Sequence, residues 1–526
     1  MYLIKSLRAR RIAAGAVSLT AGLSLAACGS TTQAADQATT TIQTATASDT
    51  SAVSTTTVAS LADNVASHAE SDDADYNAAE AVTITLADGA TASTSADGVT
   101  VADDVVTISA PGTYVLSGTL TDGRIVVNSE DEGKVRLVLK NASITSSSGP
   151  AVVITAADEA VVVLADGTTN TLTDGTGYDT GATDAPNAAL FSMADLTIAG
   201  DGALTVTGNT NDGITSKDGL VILAGSVTVH ARDDALRGKD YVIAEGGTLN
   251  LRADGDGIKS DNETDDTVGY VVVNGGSVRI SSGDDGIHAE GDLAITGGKV
   301  TITNSVEGLE GATITVAGGA SSVTSSDDGL NATTGVSTGG GGGGPGGGGM
   351  GDDGSVLTIS GGTLIVNADG DGLDSNGSLS ITGGTTVVSG PTMDGNGAID
   401  ANGEITATGG TLLAAGSAGM AVAPGSASTV GWVSVPVNLA AGQTVSIATG
   451  STVLGSYTAV KPVASVILVD ADITSGTTYD VYVGGSRHGT AVGNYSAGGN
   501  VSGADKVSTV TAGQHTGGGF GPGGRP

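Results

Sequence analysis

Only 20 of the 526 residues are lysine or arginine, against 56 aspartates and glutamates, and the formal net charge at pH 7 is −36. A surface this acidic repels nucleic acid and anionic lipid and suits cations. Aromatic side chains are nearly as scarce, with Phe 2 and Trp 1. That excludes an aromatic globular core. It also argues against the stacking platforms by which neutral glycans are usually gripped, since Trp432, Phe191 and Phe520 are scattered and the repeats offer little beyond Tyr241 and Tyr270. One cysteine, Cys28, and five dispersed histidines leave no ligand set for zinc or copper. Helical 3.6 spacing is nearly absent after residue 28, and no apolar stretch beyond the first 27 residues could span a bilayer. What is abundant is glycine, 86 residues of it, which suits tight coils of small side chains.

Those glycines are periodic. An acidic-Gly-apolar marker recurs as NDGI (211–214), DDAL (233–236), GDGI (255–258), DDGI (284–287), VEGL (306–309), DDGL (327–330) and GDGL (370–373). From Ile214 to Leu373 the apolar residues are spaced 22, 22, 29, 22, 21 and 43 apart. Gly-Gly turns at Gly246, Gly275, Gly297, Gly318 and Gly361 each precede a marker by twelve residues. Around them lie alternating segments such as YVIAEGGTLNLRA (241–253) and LTISGGTLIVNA (357–368), which read as strand, turn, strand. A fixed repeat of this length is a solenoid signature. Three short strands fit each coil, so the chain is expected to be all-β: a right-handed parallel β-helix of ~22-residue coils, stacked about 4.8 Å apart, with a small C-terminal β cap. The half-coil from Gly-Gly to marker is constant, so the insertions fall in the other half, between Ile258 and Gly275 and between Leu330 and Gly361, and should leave the solenoid along one edge.

The chain divides accordingly. Residues 1–27, basic and then apolar, read as a signal peptide ending in LAAC (25–28), a bacterial lipobox whose Cys28 would be lipidated. Cleavage would remove four basic residues and no acid, taking the net charge to −40. A lipid anchor would then be the only membrane contact, placing the protein outside the cytoplasm at the cell surface. Residues 28–80, rich in Ala, Thr, Ser, Gln and Asp, read as a disordered tether. Irregular first coils are expected over 81–205, regular repeats over 206–425 with a Gly-rich loop at 338–352, a β cap over 426–515 and a disordered tail at 516–526.

Residues one repeat apart should stack, which would align the marker acids in columns: Asp212, Asp233, Asp234, Asp254, Asp256, Asp284, Asp285, Asp327, Asp328, Asp369 and Asp371. Two charges at that separation repel by roughly 3–4 kcal/mol at an effective dielectric of 20. Raised pKa values, salt bridges or bound metal must offset this, and Ca²⁺ accepts the irregular oxygen cages that turns provide. The plainer alternative is that Asp-Gly is only a tight-turn pair. Lys217, Arg237, Lys239 and Lys259 break the acidic edge. They would either neutralise neighbouring aspartates or grip the carboxylates of an acidic polymer.

Taken together, GTYVLSGTL (112–120), KVRLVL (134–139), GTTNTLTDG (167–175), DDALRGKD (233–240), GDGIKSDN (255–262) and DDGIHAEGDLAITGG (284–298) resemble the secreted carbohydrate-binding β-helix proteins described from the surface of cellulolytic clostridia. The likeness extends over most of 81–485. It implies a pectate-lyase-like fold, bound calcium, association with cellulose and acidic sugars such as polygalacturonate, and ligand roles for Asp233, Asp234, Asp254, Asp256, Asp284 and Asp285. The expected function is calcium-dependent, non-catalytic binding of an acidic polysaccharide. The alternatives are a polysaccharide lyase, with one of the four cations as base, and a structural or adhesive spacer.

Overall fold

The computed structural model describes residues 58–335 and 351–515. The signal peptide, Cys28, most of the tether, nearly all of the Gly-rich loop and the tail lie outside these residues. The described chain is almost wholly strand and turn, and it is a parallel β-helix. One coil shows the pattern: Leu236–Gly238, Tyr241–Ala244 and Thr248–Ala253 pair in parallel with Ile258–Ser260, Tyr270–Val273 and Ser277–Ser281 of the next. The strands therefore form three columns. Two of them merge into a single 24-stranded sheet, because long strands such as Lys134–Thr145 and Ser378–Ser389 run around the corner and belong to both. The third column is a separate 12-stranded sheet.

The marker residues stack as their spacing predicts. Ile214, Leu236, Ile258, Ile287, Leu309, Leu330 and Leu373 are successive partners in the 12-stranded sheet, and all are fully buried. Alternation supplies the other walls: in Thr248–Ala253 the residues Leu249, Leu251 and Ala253 point inward while Thr248, Asn250 and Arg252 are exposed. Each inward Leu or Ile is worth about 1.5–3 kcal/mol of apolar burial. Because each is also a wall for the coils above and below, the coils hold one another in register. At the Gly-Gly corners the second glycine has positive φ, as at Gly276 (φ +73°), and a Cβ there would stand 2.5 Å from the carbonyl oxygen of Gly247 one coil below. Both insertions leave the coil at the same point, after Ile258–Ser260 and after Leu330–Ala332.

Residues 58–80 correct the expectation of a free tether, because they form a strap bound to the flank of the solenoid. Val58 is buried against a cluster that includes Val221, Tyr241, Ile243, Tyr270 and Val272. Ser60 hydrogen bonds Thr315 (3.3 Å), Tyr270 donates its hydroxyl to the Val65 carbonyl (2.8 Å), and the His68 ring bonds the Tyr241 hydroxyl (2.8 Å) and Thr197 Oγ1 (2.9 Å). Further on, Lys134 donates to the buried carboxylate of Asp73. The strap thus runs backward along the solenoid from late coils to early ones. Its composition hides this, since a few anchoring side chains are spaced along an otherwise polar segment.

At the far end the edge of the last long strand, Ile405–Gly416, pairs antiparallel with Val463–Val469, which pairs in turn with Trp432–Leu439. A six-stranded antiparallel sheet completes the cap, whose own core joins Val387 and Leu413 of the solenoid to Val435, Leu468 and Tyr457. An open solenoid end is a template for pairing with other chains, and this cap occupies it.

Replacing Ile287 by Ala removes a fully buried wall between Ile258 and Leu309. We expect a loss of about 2–5 kcal/mol in urea denaturation. A loss well below 1 kcal/mol would mean that the stacked column does not hold the coils together.

Candidate functional site

The column two residues before the marker is acidic in seven successive coils: Asp212, Asp234, Asp256, Asp285, Glu307, Asp328 and Asp371. One carboxylate oxygen of each aspartate faces the next coil. The backbone N–H of Asp256 donates to Asp234 Oδ1 (2.9 Å), that of Asp285 to Asp256 Oδ1 (2.8 Å) and that of Asp371 to Asp328 Oδ1 (2.6 Å). Longer contacts join Asp234 to Asp212 and Glu307 to Asp285, both 3.3 Å, and Gly397 donates to Asp371. The aspartates are therefore rungs, each satisfying a turn N–H that the sheet leaves unpaired. Glu307, one methylene longer, carries its carboxyl outward, where Asn331 donates to it (2.9 Å).

The glycine of the marker has a packing cause rather than the tight-turn cause expected from the sequence. None of Gly213, Gly257, Gly286, Gly308, Gly329 and Gly372 has positive φ. A Cβ would instead collide with a strand of the next coil, 2.2 Å from Val229 Cγ1 at Gly213 and 2.2 Å from Val323 Cγ1 at Gly308. Gly255 and Gly370 make room of another kind. A Cβ on Gly255 would sit 2.6 Å from Asp233 Oδ1 and 2.8 Å from Asp234 Oδ1, and one on Gly370 would press on Asp327 and Asp328 in the same way.

The first acid of each doublet does not form the continuous column expected. Turn hydrogen bonds stack Asp233, Gly255, Asp284, Val306, Asp327 and Gly370 in that order, so carboxylates alternate with neutral residues. Asp254 and Asp369 belong to a further position separated by Gly283, Ser305 and Ser326, and they do not meet.

Just after the marker, a second column decides the charge balance. Thr215, Arg237, Lys259, His288, Glu310, Asn331 and Asp374 are successive partners. Arg237 reaches Asp234 (3.6 Å), Asp212 (3.7 Å) and, closest, Asp261. Lys259 donates to Asp256 Oδ2 (2.6 Å), and His288 lies between Asp285 (3.2 Å) and Glu310 (2.8 Å). Burial works against charge on His288, but those two carboxylates outweigh it and raise its pKa to about 10. Arg237 and Lys259 likewise stay charged, with the aspartates overcoming burial. Both are neutralising residues and not free ligand grips. Lys217 is different: half-buried, with its ammonium 5.9 Å from the Phe191 ring centroid, it has its pKa lowered by burial and then by Arg237. Lys239 is exposed.

Past Glu310 no cation enters this column. Oxygens of Asp371, Asp374 and Asp400 all lie within 4.8 Å of one another. Burial, and then Asp328, Asp371 and Asp400, push Asp374 up to about 8. Burial raises Asp371 to about 7 and Asp328 to about 6, and Glu307 reaches about 8 for the same cause. In the paired half, Asp212 rises to about 7 through burial and Asp234, with Arg237 opposing. Carboxylate triads also occur at Asp212, Asp233 and Asp234, and at Asp285, Glu307 and Glu310, and a mixed one at Asp256, Asp285 and His288. Sequence reading missed Glu307, Glu310, Asp374, Asp400 and His288. Counting one residue past each marker would have found three of them, His288, Glu310 and Asp374; Glu307 stands inside the marker VEGL, and Asp400 follows Ile399, outside the marker series.

Residues 102–354 match the family model described as carbohydrate-binding domain-containing protein. A protein of that description from Acetivibrio thermocellus is 39% identical over 137 residues, 26% of this chain and 48% of the relative, so the match spans about half the relative's length. The solved polysaccharide lyase-like protein from C. thermocellum, a gadolinium derivative, is 33% identical and aligns over 46% of this chain and 93% of its own, with a TM-score of 0.41. The family resemblance read from the sequence motifs is borne out. Asp371, Asp374 and Asp400 lie beyond the matched residues.

The raised carboxyls make a signed prediction. A buried acid whose folded pKa exceeds its unfolded value, about 4, stabilises the fold below that value and loses this contribution as pH rises through the folded pKa. In chelator, the melting temperature should therefore fall as pH rises from about 5 to about 8. Asp374→Asn should raise it at pH 8 and change it little at pH 5. A flat profile in calorimetry would refute the crowded column.

Proposed function

We propose that this protein is a non-catalytic, calcium-dependent carbohydrate-binding β-helix that recognises acidic polysaccharide such as polygalacturonate, held at the cell surface through a lipidated Cys28. The family match over 102–354 supports carbohydrate binding. Calcium is supported by one observation above the others: the acidic column continues for several coils after its cations stop, leaving Asp371, Asp374 and Asp400 converged without a counter-charge in that column. The donors are carboxylate oxygens, which suit a hard dication. Asp371, Asp374 and Asp400 would hold such an ion, which would neutralise them and offer free coordination positions to glycan carboxylates. In the early coils Arg237, Lys259 and His288 already do the neutralising, so the late coils are where metal is needed.

One observation favours a second reading, a lyase. A general base needs a depressed pKa, and among the four cations expected from the sequence Lys217 is the one lowered by its surroundings. Release of ultraviolet-absorbing unsaturated uronide by the wild type, abolished in Lys217→Met, would establish it. Silence of the wild type would leave binding alone.

The binding reading is tested by adding Ca²⁺ to the chelator-treated protein while following melting temperature and retention on polygalacturonate. Both should rise, with about 2.7 kcal/mol of stabilisation once calcium reaches a hundred times its dissociation constant. The double variant Asp371→Asn, Asp374→Asn should lose most of the calcium response. No response in the wild type would leave the acids as turn residues.

A further inference from the structure

The outward face of the strand column containing Thr248–Ala253 has none of the acids that crowd the marker edge. Its strands alternate cleanly, so every second side chain points to solvent. On four successive coils that outward set includes His230, Arg252, Arg279 and Lys299, all exposed. The register places them in a stripe. His230 pairs directly with Arg252, Arg279 lies one coil on and two residues back, and Lys299 one coil further and two back again. With coils about 4.8 Å apart and two residues spanning about 6.6 Å, successive cations after Arg252 stand about 8 Å apart.

These cations are unpaired among the described residues. Arg252, Arg279 and Lys299 take part in none of the ion pairs or side-chain hydrogen bonds of the described chain, unlike Arg237, Lys259 and Lys134. Their register neighbours are Asn250, Ser277, Ser281, Thr301 and Ala320, and no carboxylate is among them. In a chain with a net charge of −36, cations on successive coils of one flat face with no acid in register reverse the local sign of the surface.

We infer that this stripe is a binding surface for a linear anionic polysaccharide, lying obliquely across the coils with its carboxylates on Arg252, Arg279 and Lys299. The inference rests on the acidic-glycan reading above and moves its contact surface away from Lys217, Arg237, Lys239 and Lys259. Guanidinium groups bind carboxylates through paired N–H donors, and the flanking hydroxyls and amides can meet sugar hydroxyls. A polynucleotide fits less well: the stripe has no Phe, Tyr or Trp on which bases could stack, and the field of the whole protein repels polyphosphate.

The test replaces each cation by the residue that the next coil already carries in register: Arg252→Ser, Arg279→Thr and Lys299→Ala. Retention on polygalacturonate should weaken about tenfold or more at low salt, and its salt dependence should flatten, while the melting temperature stays put. Arg252→Lys with Arg279→Lys should keep most of the binding, a control that a folding defect would not mimic. Unchanged binding and salt dependence in the triple variant would overturn the surface while leaving the acidic-glycan reading standing. A wild type that ignores polygalacturonate in calcium would overturn both. Equal, stripe-dependent retention of single-stranded DNA or phosphatidylserine vesicles would mark the stripe as an unselective basic patch and overturn the assignment too.

Discussion

Everything in this molecule follows from the requirement that each position of a coil stack directly on its own equivalent about 4.8 Å away. For apolar residues that is an advantage, and the unbroken Ile and Leu column from Ile214 to Leu373 exploits it. For charged residues it is a hazard, because one residue type repeated in a column faces itself at each step. The chain meets the hazard in several ways. Asp233, Asp284 and Asp327 are separated by neutral coils. The rung aspartates accept backbone N–H groups, which spreads their charge into the turn. Arg237, Lys259 and His288 counter the early rungs, and in the late rungs burial and mutual repulsion raise the carboxyl pKa values.

The charges therefore sort by face. Arg237, Lys259 and His288 on the acidic edge are consumed internally, whereas Arg252, Arg279 and Lys299 on the other face remain free. A net charge says nothing about this division. A small number of cations in an acidic protein can dominate one surface if their neighbours in register are hydroxyls and amides.

Much of this was legible in the sequence because a solenoid converts spacing into contact. The marker spacings identified the buried column, and the constant half-coil located the insertions. The legibility failed where the relevant property was local length or direction. Asp and Glu look equivalent in a string, yet Glu307 leaves the rung that the aspartates share. Doubled acids look like a doubled column until alternation with Gly255, Val306 and Gly370 separates them. Arg237 and Arg252 are both arginines at outward strand positions within one repeat, and only the column in which each stands, one beside the rung aspartates and the other beside His230 and Ser281, separates them. The strap was invisible for a further reason: its contacts are with residues far along the chain, such as Thr315, Tyr241, Thr197 and Lys134, and no periodicity records them.

The direction of that strap bears on mechanical load. The chain enters the described fold at Val58, beside the coil of Thr315, and reaches the first coils only after passing Tyr270, Tyr241 and Lys134. Tension applied from the N-terminal side therefore meets the flank of the rod and not its end. It would peel the strap one anchor at a time, first the Val58 contacts and last the Asp73–Lys134 pair, before any pull reached the stacked coils. Peeling needs little force per step but dissipates work over a long path, so the strap would act as a shock absorber in series with the solenoid. The hydrogen-bonded ladders that build the body would stay unloaded until the strap had been spent.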